Sequence, residues 1–257
     1  MKCLCPIRIH LDKGITCFKE FQVRGYTVPC GQCIACRLNY AKFWSIRMMQ
    51  ELKLHDKACF VTLTYDDSHC PDNMYLCPEH LQLFWKRVRK RCKIRYFACG
   101  EYGDRFGRPH YHAIIYGLAP DDRNIIEDCW SYGLVHVGTV TFDSCNYVAK
   151  YMTKKLRGNS LKEKLSKEPY YIPEFVVMSR RPGIGAELSF EMEQFLKDNG
   201  FVYRKGKRSS IPRYYKDKFD INVIFNFERQ SLEDEKKWLQ DFDNHDIYMR
   251  KKLSLKK

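Results

Sequence analysis

Residues 58–65 have the sequence Ala-Cys-Phe-Val-Thr-Leu-Thr-Tyr, which is rich in β-branched and aromatic side chains and predicts a strand. Working outward, the sequence predicts helices over 79–91, 121–130 and 143–157, and strands over 93–101, 109–117 and 133–140. From residue 58 the order is β-α-β-β-α-β followed by a helix. This order is typical of the split βαβ arrangement, an antiparallel sheet with helices on one face. The sequence therefore predicts an α+β fold.

The flanking segments have weaker patterns. Residues 1–36 contain six cysteines and predict irregular structure. Further predicted elements are a helix over 37–55, a strand over 175–178, a helix over 185–197, a basic loop over 204–218 and a charged helix over 231–251. We therefore expect a Cys-rich segment (1–36), a central domain (37–186) and a basic helical extension (187–257).

The charge balance narrows the class of partner. The 257 residues include 45 Lys and Arg against 31 Asp and Glu, a net charge of +14. Such an excess favours a polyanion, most simply nucleic acid, and an anionic membrane surface is the alternative. No apolar run approaches the roughly 18–20 residues that span a bilayer, so we expect no membrane association.

The absence of several motifs excludes other classes. The N-terminus lacks the apolar stretch of a secretory signal, which predicts a reducing compartment for the thirteen cysteines. An odd number of cysteines cannot pair fully within one chain. Neither G-x-x-x-x-G-K-[ST] nor G-x-G-x-x-G occurs, so the sequence gives no sign of ATP hydrolysis or dinucleotide binding.

A His-x-His pair lies on the predicted strand 109–117. His110 and His112 are two positions apart, so both imidazoles point to one face of the strand. Glu101, at the end of the neighbouring strand, could supply a third ligand. Two imidazoles and a carboxylate suit Mg²⁺ or Mn²⁺ bound to phosphate and water. Packing or surface roles for the histidines, and a merely solvated Glu101, are the alternatives.

The predicted helix 143–157 has a polar face. At 100° per residue, four side chains share an arc of about 100°, separate from an apolar stripe; they are Tyr147, Lys150, Tyr151 and Lys154. A Tyr oxygen could attack a metal-bound phosphodiester and form a phosphotyrosine, with the lysines stabilising the phosphate. An ordinary basic amphipathic helix with half-buried tyrosines is the alternative.

The N-terminal cysteines have the spacing of metal ligands. Cys30-x-x-Cys33-x-x-Cys36 supplies three thiols, and Cys3 and Cys5 are candidates to complete a tetrahedral Zn²⁺ site. Reduced cysteines that pack as small apolar side chains are the alternative.

Three of these stretches together resemble the motifs of His-hydrophobic-His endonucleases, namely Phe60–Tyr65, His110–His112 and Tyr147–Lys154. Their order and spacing are similar to those of rolling-circle replication initiators, in particular of single-stranded DNA phages of the gokushovirus-type microviruses. Further similar stretches are Pro29–Arg37, Cys99–Gly103 and Met178–Gly185. The resemblance covers most of 28–186, whereas the final 70 residues match loosely.

The resemblance implies a nicking endonuclease domain over 37–186 that cuts and rejoins single- and double-stranded origin DNA. Tyr147 and Tyr151 would act as alternating nucleophiles, Lys150 and Lys154 would contact phosphate, and His110 and His112 would bind the metal. Family members differ at the third ligand, here Glu101. A host polymerase would extend the 3′ end and a host helicase would separate the strands, in the cytoplasm of the host bacterium.

Several basic residues are candidates for DNA contacts, and we expect the segments 178–186 and 204–218 to contact the backbone more than the bases. The candidates are Arg37, Arg47, Arg108, Arg180, Arg181, Lys205, Arg208 and Arg213.

Two other functions remain open from the sequence. A non-enzymatic, zinc-stabilised nucleic-acid-binding protein would leave the Glu101, His110, His112 and tyrosine side chains scattered in space. A plasmid mobilisation relaxase would use the same chemistry, but relaxases usually place the catalytic tyrosine before the His motif. Here the tyrosines follow it.

Overall fold

A computed structural model describes residues 3–10, 25–103, 106–154, 158–204 and 206–221. The strands are β1 (Ile7–His10), β2 (Gly25–Val28), β3 (Ala58–Tyr65), β4 (Arg95–Tyr102), β5 (Pro109–Tyr116), β6 (Gly133–Gly138), β7 (Phe175–Met178), β8 (Phe201–Arg204) and β9 (Lys207–Ser210). The helices are α1 (Ile34–Leu52), α2 (Pro78–Arg91), α3 (Arg123–Cys129), α4 (Phe142–Lys154), α5 (Gly158–Lys167), α6 (Phe190–Asn199) and α7 (Arg213–Lys218). The predicted helix 231–251 lies outside the described residues.

The centre of the protein is a five-stranded antiparallel sheet with the strand order β6-β3-β5-β4-β7. Four of its strands come from the predicted β-α-β-β-α-β region, and β7 adds the fifth at the edge beside β4. The α+β prediction is therefore confirmed.

The sheet carries helices on both faces. On one face α2 buries its apolar side, which includes Phe84 and Val88, against β3 and β5, and α3 contributes Ile126. Each fully buried side chain of this size contributes about 1.5–3 kcal/mol. On the other face α1 and α4 bury Met48 and Val148 against β4 and β5. The predicted layer of helices is thus joined by a second layer, and both faces of β5 are covered.

The ends of α2 follow from its sequence. Pro78 occupies the first turn, where its missing N–H leaves no bond unmade, and Glu79 lies beside it. The last turn carries Arg89, Lys90 and Arg91, whose positive charges interact favourably with the carboxyl end of the helix dipole.

Residues Arg37–Ile221 form one compact unit, and residues up to Cys36 belong to a second. Within the N-terminal segment β1 pairs with β2 in antiparallel register, Ile7 opposite Val28. The prediction that this whole segment is irregular was therefore wrong. It failed because two four-residue strands that pair across a long connection leave little periodicity in the sequence.

The basic stretch 204–218 was predicted to be a loop, and this was also wrong. Its described residues instead include the end of β8, the strand β9 and the helix α7. Tyr215 of α7 is fully buried, which explains why this stretch is ordered against the rest of its unit. Among the described helices, none combines the length and the apolar character needed to cross a bilayer.

Candidate active site and metal-binding groups

The register of the central sheet brings the predicted ligands together. Glu101 of β4 lies directly opposite His110 of β5, and Thr62 of β3 lies directly opposite His112. Residues paired in this way point to the same face of the sheet. That face is the one covered by α4, since Val148 of α4 packs against β5 there.

The three side chains converge on one carboxylate oxygen. Oε1 of Glu101 lies 2.6 Å from Nε2 of His110 and 2.8 Å from Nε2 of His112. One ligand atom from each of the three residues lies within 4.8 Å of the others. These distances give a compact group of two imidazoles and a carboxylate, hereafter the Glu-His-His group.

Each imidazole is oriented through its other nitrogen. Nδ1 of His112 lies 2.9 Å from the Thr62 hydroxyl, and Nδ1 of His110 lies 3.0 Å from the carbonyl oxygen of Arg108. Both Nε2 atoms are therefore the ones that point toward Glu101. Hydrogen bonds of this kind fix the ring orientation of metal-binding histidines in proteins.

The electrostatics of Glu101 favour its charged form. Burial raises the pKa of this carboxyl, but hydrogen bonds from His110 and His112 outweigh burial and hold its pKa below the ordinary value. Its second oxygen, Oε2, is buried and has no hydrogen-bond partner. A buried carboxylate oxygen without a partner is costly, and a cation would satisfy it. The donor set therefore fits a divalent metal ion.

Both tyrosines of α4 lie beside His112. The Tyr147 hydroxyl is 3.5 Å from Nε2 of His112, and the Tyr151 ring lies parallel to the imidazole with centroids 5.8 Å apart. Phe60 of β3 stacks on the imidazole at 5.7 Å. Burial raises the pKa of the Tyr151 phenol.

An open depression lies in front of the group. Its lining residues are Thr62, Thr64, Gly103, Phe106, Arg108, His110, His112 and Tyr147. Arg108 is held at this rim, donating to the Tyr65 carbonyl at 2.9 Å and to Asp67 at 2.8 Å. The depression can thus admit an extended polyanion to within reach of both imidazoles and one phenol.

The lysines of α4 are less defined. Lys150 is half-buried on the helix that carries both tyrosines. The backbone of Lys154 lies in the last turn of α4, but its side chain is outside the described part of the structure.

A second group of candidate ligands lies in the N-terminal segment. The sulfurs of Cys3, Cys30, Cys33 and Cys36 lie within 4.8 Å of one another, hereafter the four-thiol group. Cys3 is 3.5 Å from Cys30 and 3.8 Å from Cys33, sulfur to sulfur. Tetrahedral zinc with Zn–S bonds of about 2.3 Å holds sulfurs about 3.8 Å apart. The spacing therefore fits zinc.

Backbone N–H groups point at these sulfurs. Leu4 donates to Cys33 at 3.3 Å, and Cys30 donates to Cys3 at 3.2 Å. Burial raises the pKa of the Cys33 thiol, but hydrogen bonds from the backbone of Leu4 and Cys36 and from neighbouring thiols lower it to about 6. Of the two candidates for a fourth ligand, Cys3 joins the group, whereas Cys5 is exposed and is not one of the four.

Arg47 was predicted to contact DNA, and the structure contradicts this. Its side chain is only 8% exposed, and its guanidinium lies between the rings of Trp44 and Tyr214, at 4.2 and 3.7 Å from their centroids. It donates to the Ile184 carbonyl at 2.9 and 2.6 Å. Arg47 therefore fastens the segment around Ile184 to α1, and we no longer count it among the DNA contacts.

The other basic candidates differ in exposure. Arg180 and Arg181 are exposed in the turn after β7, and Arg208 and Arg213 are exposed on β9 and α7. Arg37 is half-buried, and Lys205 lies outside the described residues. Apart from Arg108 at the rim of the depression, these residues are not among those that line it.

The sequence analysis missed Thr62 and Phe60 as parts of the site. Both lie on β3, whose neighbour β5 carries the histidines. Alternate residues of a strand share a face, so positions 60, 62 and 64 had to be considered together once β3 and β5 were known to pair. That pairing is the signal that the sequence lacked.

Comparison with known proteins identifies the family. The family model for the replication-associated protein ORF2 matches residues 58–156. The replication-associated protein VP4 of Bdellovibrio phage phiMH2K is 31% identical, with 86% of this chain and 78% of the relative covered. The replication-associated protein ORF2 of Spiroplasma virus 4 is 33% identical, with 84% and 79% covered.

A third relative and the solved structures complete the comparison. The replication-associated protein ORF4 of Chlamydia phage 1 is 29% identical, with 80% of this chain and 58% of the relative covered. No solved structure matches the chain. The family model covers the strands and helices that carry the Glu-His-His group and both tyrosines. The chain therefore belongs to the ORF2 family of phage replication-associated proteins.

Proposed function

We propose that this protein initiates rolling-circle replication by nicking and rejoining phage origin DNA, with a tyrosine as the nucleophile. The observation that carries the proposal is the meeting of the Glu-His-His group and Tyr147 at one open depression. A binding protein without catalysis gives no reason for two imidazoles, a buried carboxylate and a phenol to converge. The membership of a replication-associated family supports the same activity.

Glu101, His110 and His112 would hold a divalent ion, Mg²⁺ or Mn²⁺. When bound, such an ion offsets the negative charge that develops on a phosphodiester during displacement. The unpartnered Oε2 of Glu101 supports this assignment, because it is a buried acceptor that lacks a donor. Thr62 and the Arg108 carbonyl keep the two Nε2 atoms directed toward the ion.

The chemical step is a transesterification. A phenol oxygen of Tyr147 or Tyr151 attacks the phosphorus, the phenol proton passes to water, and the bond between phosphorus and the 3′ oxygen breaks. The 3′ oxygen takes up a proton and becomes a free hydroxyl. One phosphate ester replaces another, so a 3′ hydroxyl can later attack the phosphotyrosine and rejoin the strand.

Cations near the site would bind the DNA backbone. Arg108 lines the depression, and Lys150 and Lys154 lie on the helix that carries the tyrosines. The exposed Arg180, Arg181, Arg208 and Arg213, together with Arg37 and Lys205, are proposed as further phosphate contacts. Host polymerase and host helicase would act on the nicked origin in the bacterial cytoplasm, since the sequence contains no helicase motif.

The four-thiol group would hold a structural Zn²⁺. Four sulfurs complete a tetrahedral coordination shell and leave no position for substrate, which is the arrangement of structural zinc sites. The zinc would join Cys3, near the N-terminus, to Cys30, Cys33 and Cys36.

A nicking assay tests the proposed activity. A supercoiled plasmid with the cognate phage origin is incubated with protein and Mn²⁺, and conversion to open circles is measured with and without EDTA. We expect EDTA and His110→Ala each to abolish nicking. His69→Ala is the matched control, because His69 lies in an exposed loop and pairs with Asp66. Undiminished nicking by His110→Ala would refute the metal role.

A further inference from the structure

We infer that the two tyrosines have a built-in order, with Tyr147 making the first cut and Tyr151 held back for a later one. This inference rests on the proposed nicking activity and adds to it a division of labour. It replaces the expectation that either phenol serves equally well in the first step.

Access to solvent separates the two side chains. Tyr147 is 41% exposed, whereas Tyr151, one helical turn further along α4, is 5% exposed. The first attack on a DNA strand requires a phenol oxygen that the scissile phosphate can approach from solvent. Tyr147 meets this requirement in the structure as it stands, and Tyr151 does not.

The position of the depression gives the same order. Tyr147 lines it together with His110, His112 and Arg108, and Tyr151 is not among its lining residues. The Tyr147 hydroxyl already lies 3.5 Å from Nε2 of His112. A phosphate that reaches the Glu-His-His group through this opening therefore meets Tyr147 first.

The packing of Tyr151 explains how it is held back. Its ring lies parallel to the His112 ring, and the Tyr147 ring packs edge-on against it with centroids 5.1 Å apart. Phe60 also packs edge-on against Tyr147 at 6.3 Å. Once Tyr147 carries a DNA strand, its ring must follow that strand, and this displacement removes one of the aromatic rings packed against Tyr151.

The later step then balances as the first one does. The Tyr151 oxygen attacks the phosphorus at a new copy of the origin, its proton passes to water, and the departing 3′ oxygen is protonated. That new 3′ hydroxyl attacks the phosphorus held by Tyr147, and the Tyr147 phenolate leaves and regains a proton. The protein ends with one phosphotyrosine, now at Tyr151.

The test follows covalent adducts on single-stranded DNA. Overlapping oligonucleotides that tile the cognate phage genome carry a 3′ fluorophore, so that the downstream piece stays visible on the protein in a denaturing gel. The proteins compared are wild type, Tyr147→Phe, Tyr151→Phe and the double variant. Tyr170→Phe is the matched control, because Tyr170 is 82% exposed and lies outside the site.

We expect Tyr147→Phe to slow first-adduct formation by at least ~100-fold, because it removes the accessible nucleophile. Tyr151→Phe should slow it by less than about fivefold, through altered packing on His112. Peptide mapping of wild-type adducts after a single turnover should find the nucleotide on Tyr147. This mapping needs no variant, so it stands even if a substitution perturbs folding.

The outcomes separate the inference from the function beneath it. Nucleotide on Tyr151 in the first wild-type turnover, or a fast adduct in Tyr147→Phe, overturns the order but leaves tyrosine-dependent nicking intact. An adduct in the double variant, or no adduct from wild type on any oligonucleotide, overturns the proposed function itself.

Discussion

The four-thiol group and the Glu-His-His group are both compact sets of metal-ligating side chains, yet they differ in donor type and in completeness. The first has four sulfurs, a full shell for a tetrahedral ion. The second has two nitrogens and a carboxylate, with an open depression in front of it. Soft sulfur donors select zinc, and mixed nitrogen and oxygen donors accept magnesium or manganese.

The difference teaches how ligand count separates structure from chemistry. A shell that the protein completes leaves no room for a substrate, so its ion contributes only to folding. A shell that the protein leaves open reserves positions for the oxygens of a phosphodiester. If this distinction holds, substitutions in the two groups should give opposite patterns of damage.

The largest expected effect is the loss of cleavage in Glu101→Gln. The substitution keeps the size of the side chain but removes the charge that binds the cation. A metal that stabilises the transition state by about 3–4 kcal/mol accounts for a loss of roughly 10²–10³-fold in cleavage rate. Zinc content and melting temperature should stay close to those of wild type. Single-turnover cleavage rates and elemental analysis measure the two effects.

Glu101→Gln would break the comparison in one of two ways. Cleavage within a few-fold of wild type would remove Glu101 from the metal site. Loss of zinc from the variant would mean that the two groups do not act independently.

The reverse pattern is expected for Cys33→Ser. Loss of one of four thiolates should release zinc, and the free energy of zinc binding that contributes to folding is lost with it. We expect less than about 0.2 zinc per chain by elemental analysis, against about one in wild type. Differential scanning calorimetry should show an earlier transition. Full retention of zinc would instead mean that the thiols pack without metal.

Much of the central sheet was predictable, because residues 58–154 alternate strongly between strand and helix patterns. The predicted strand 58–65 agrees with β3 at both ends, and the predicted helix 79–91 differs from α2 by one residue. Both elements bury an apolar face, so their periodicity is clear in the sequence. The helix predicted over 185–197 begins only at Phe190.

The rest depended on contacts between distant parts of the chain. The spacing Cys30, Cys33, Cys36 predicts three ligands, but the choice of Cys3 over Cys5 is made by the pairing of β1 with β2 and by backbone hydrogen bonds such as that from Cys30 to Cys3. Arg47 belongs to a basic helix, and only the folded chain brings Tyr214 onto its guanidinium. Side-chain periodicity carries no information of this kind.

A smaller effect is expected for Thr62, which orients His112 without belonging to the metal shell. Thr62→Val keeps the shape of the side chain but loses the hydroxyl that lies 2.9 Å from Nδ1 of His112. Losses of about 10–100-fold in metal affinity are typical when such a hydrogen bond is removed. Titration of nicking against Mn²⁺ concentration should show this shift, with cleavage restored at saturating metal.

Thr62→Ser is the matched control, since it restores the hydroxyl. It should return the Mn²⁺ midpoint to within a few-fold of wild type. A Val variant with an unchanged midpoint would show that Thr62 serves the packing of β3 alone.

The smallest effect is expected for Cys5→Ser, and it sharpens the definition of the four-thiol group. Cys5 lies two residues from Cys3 but is exposed and outside the group, so replacing its sulfur should neither release zinc nor change stability by more than about 0.5 kcal/mol. Cys3→Ser, measured in parallel, should behave like Cys33→Ser, because the two sulfurs are 3.8 Å apart and would share one ion. If Cys5→Ser released zinc while Cys3→Ser kept it, the ligands would be exchanged and the segment before β1 would have to bind metal in another register.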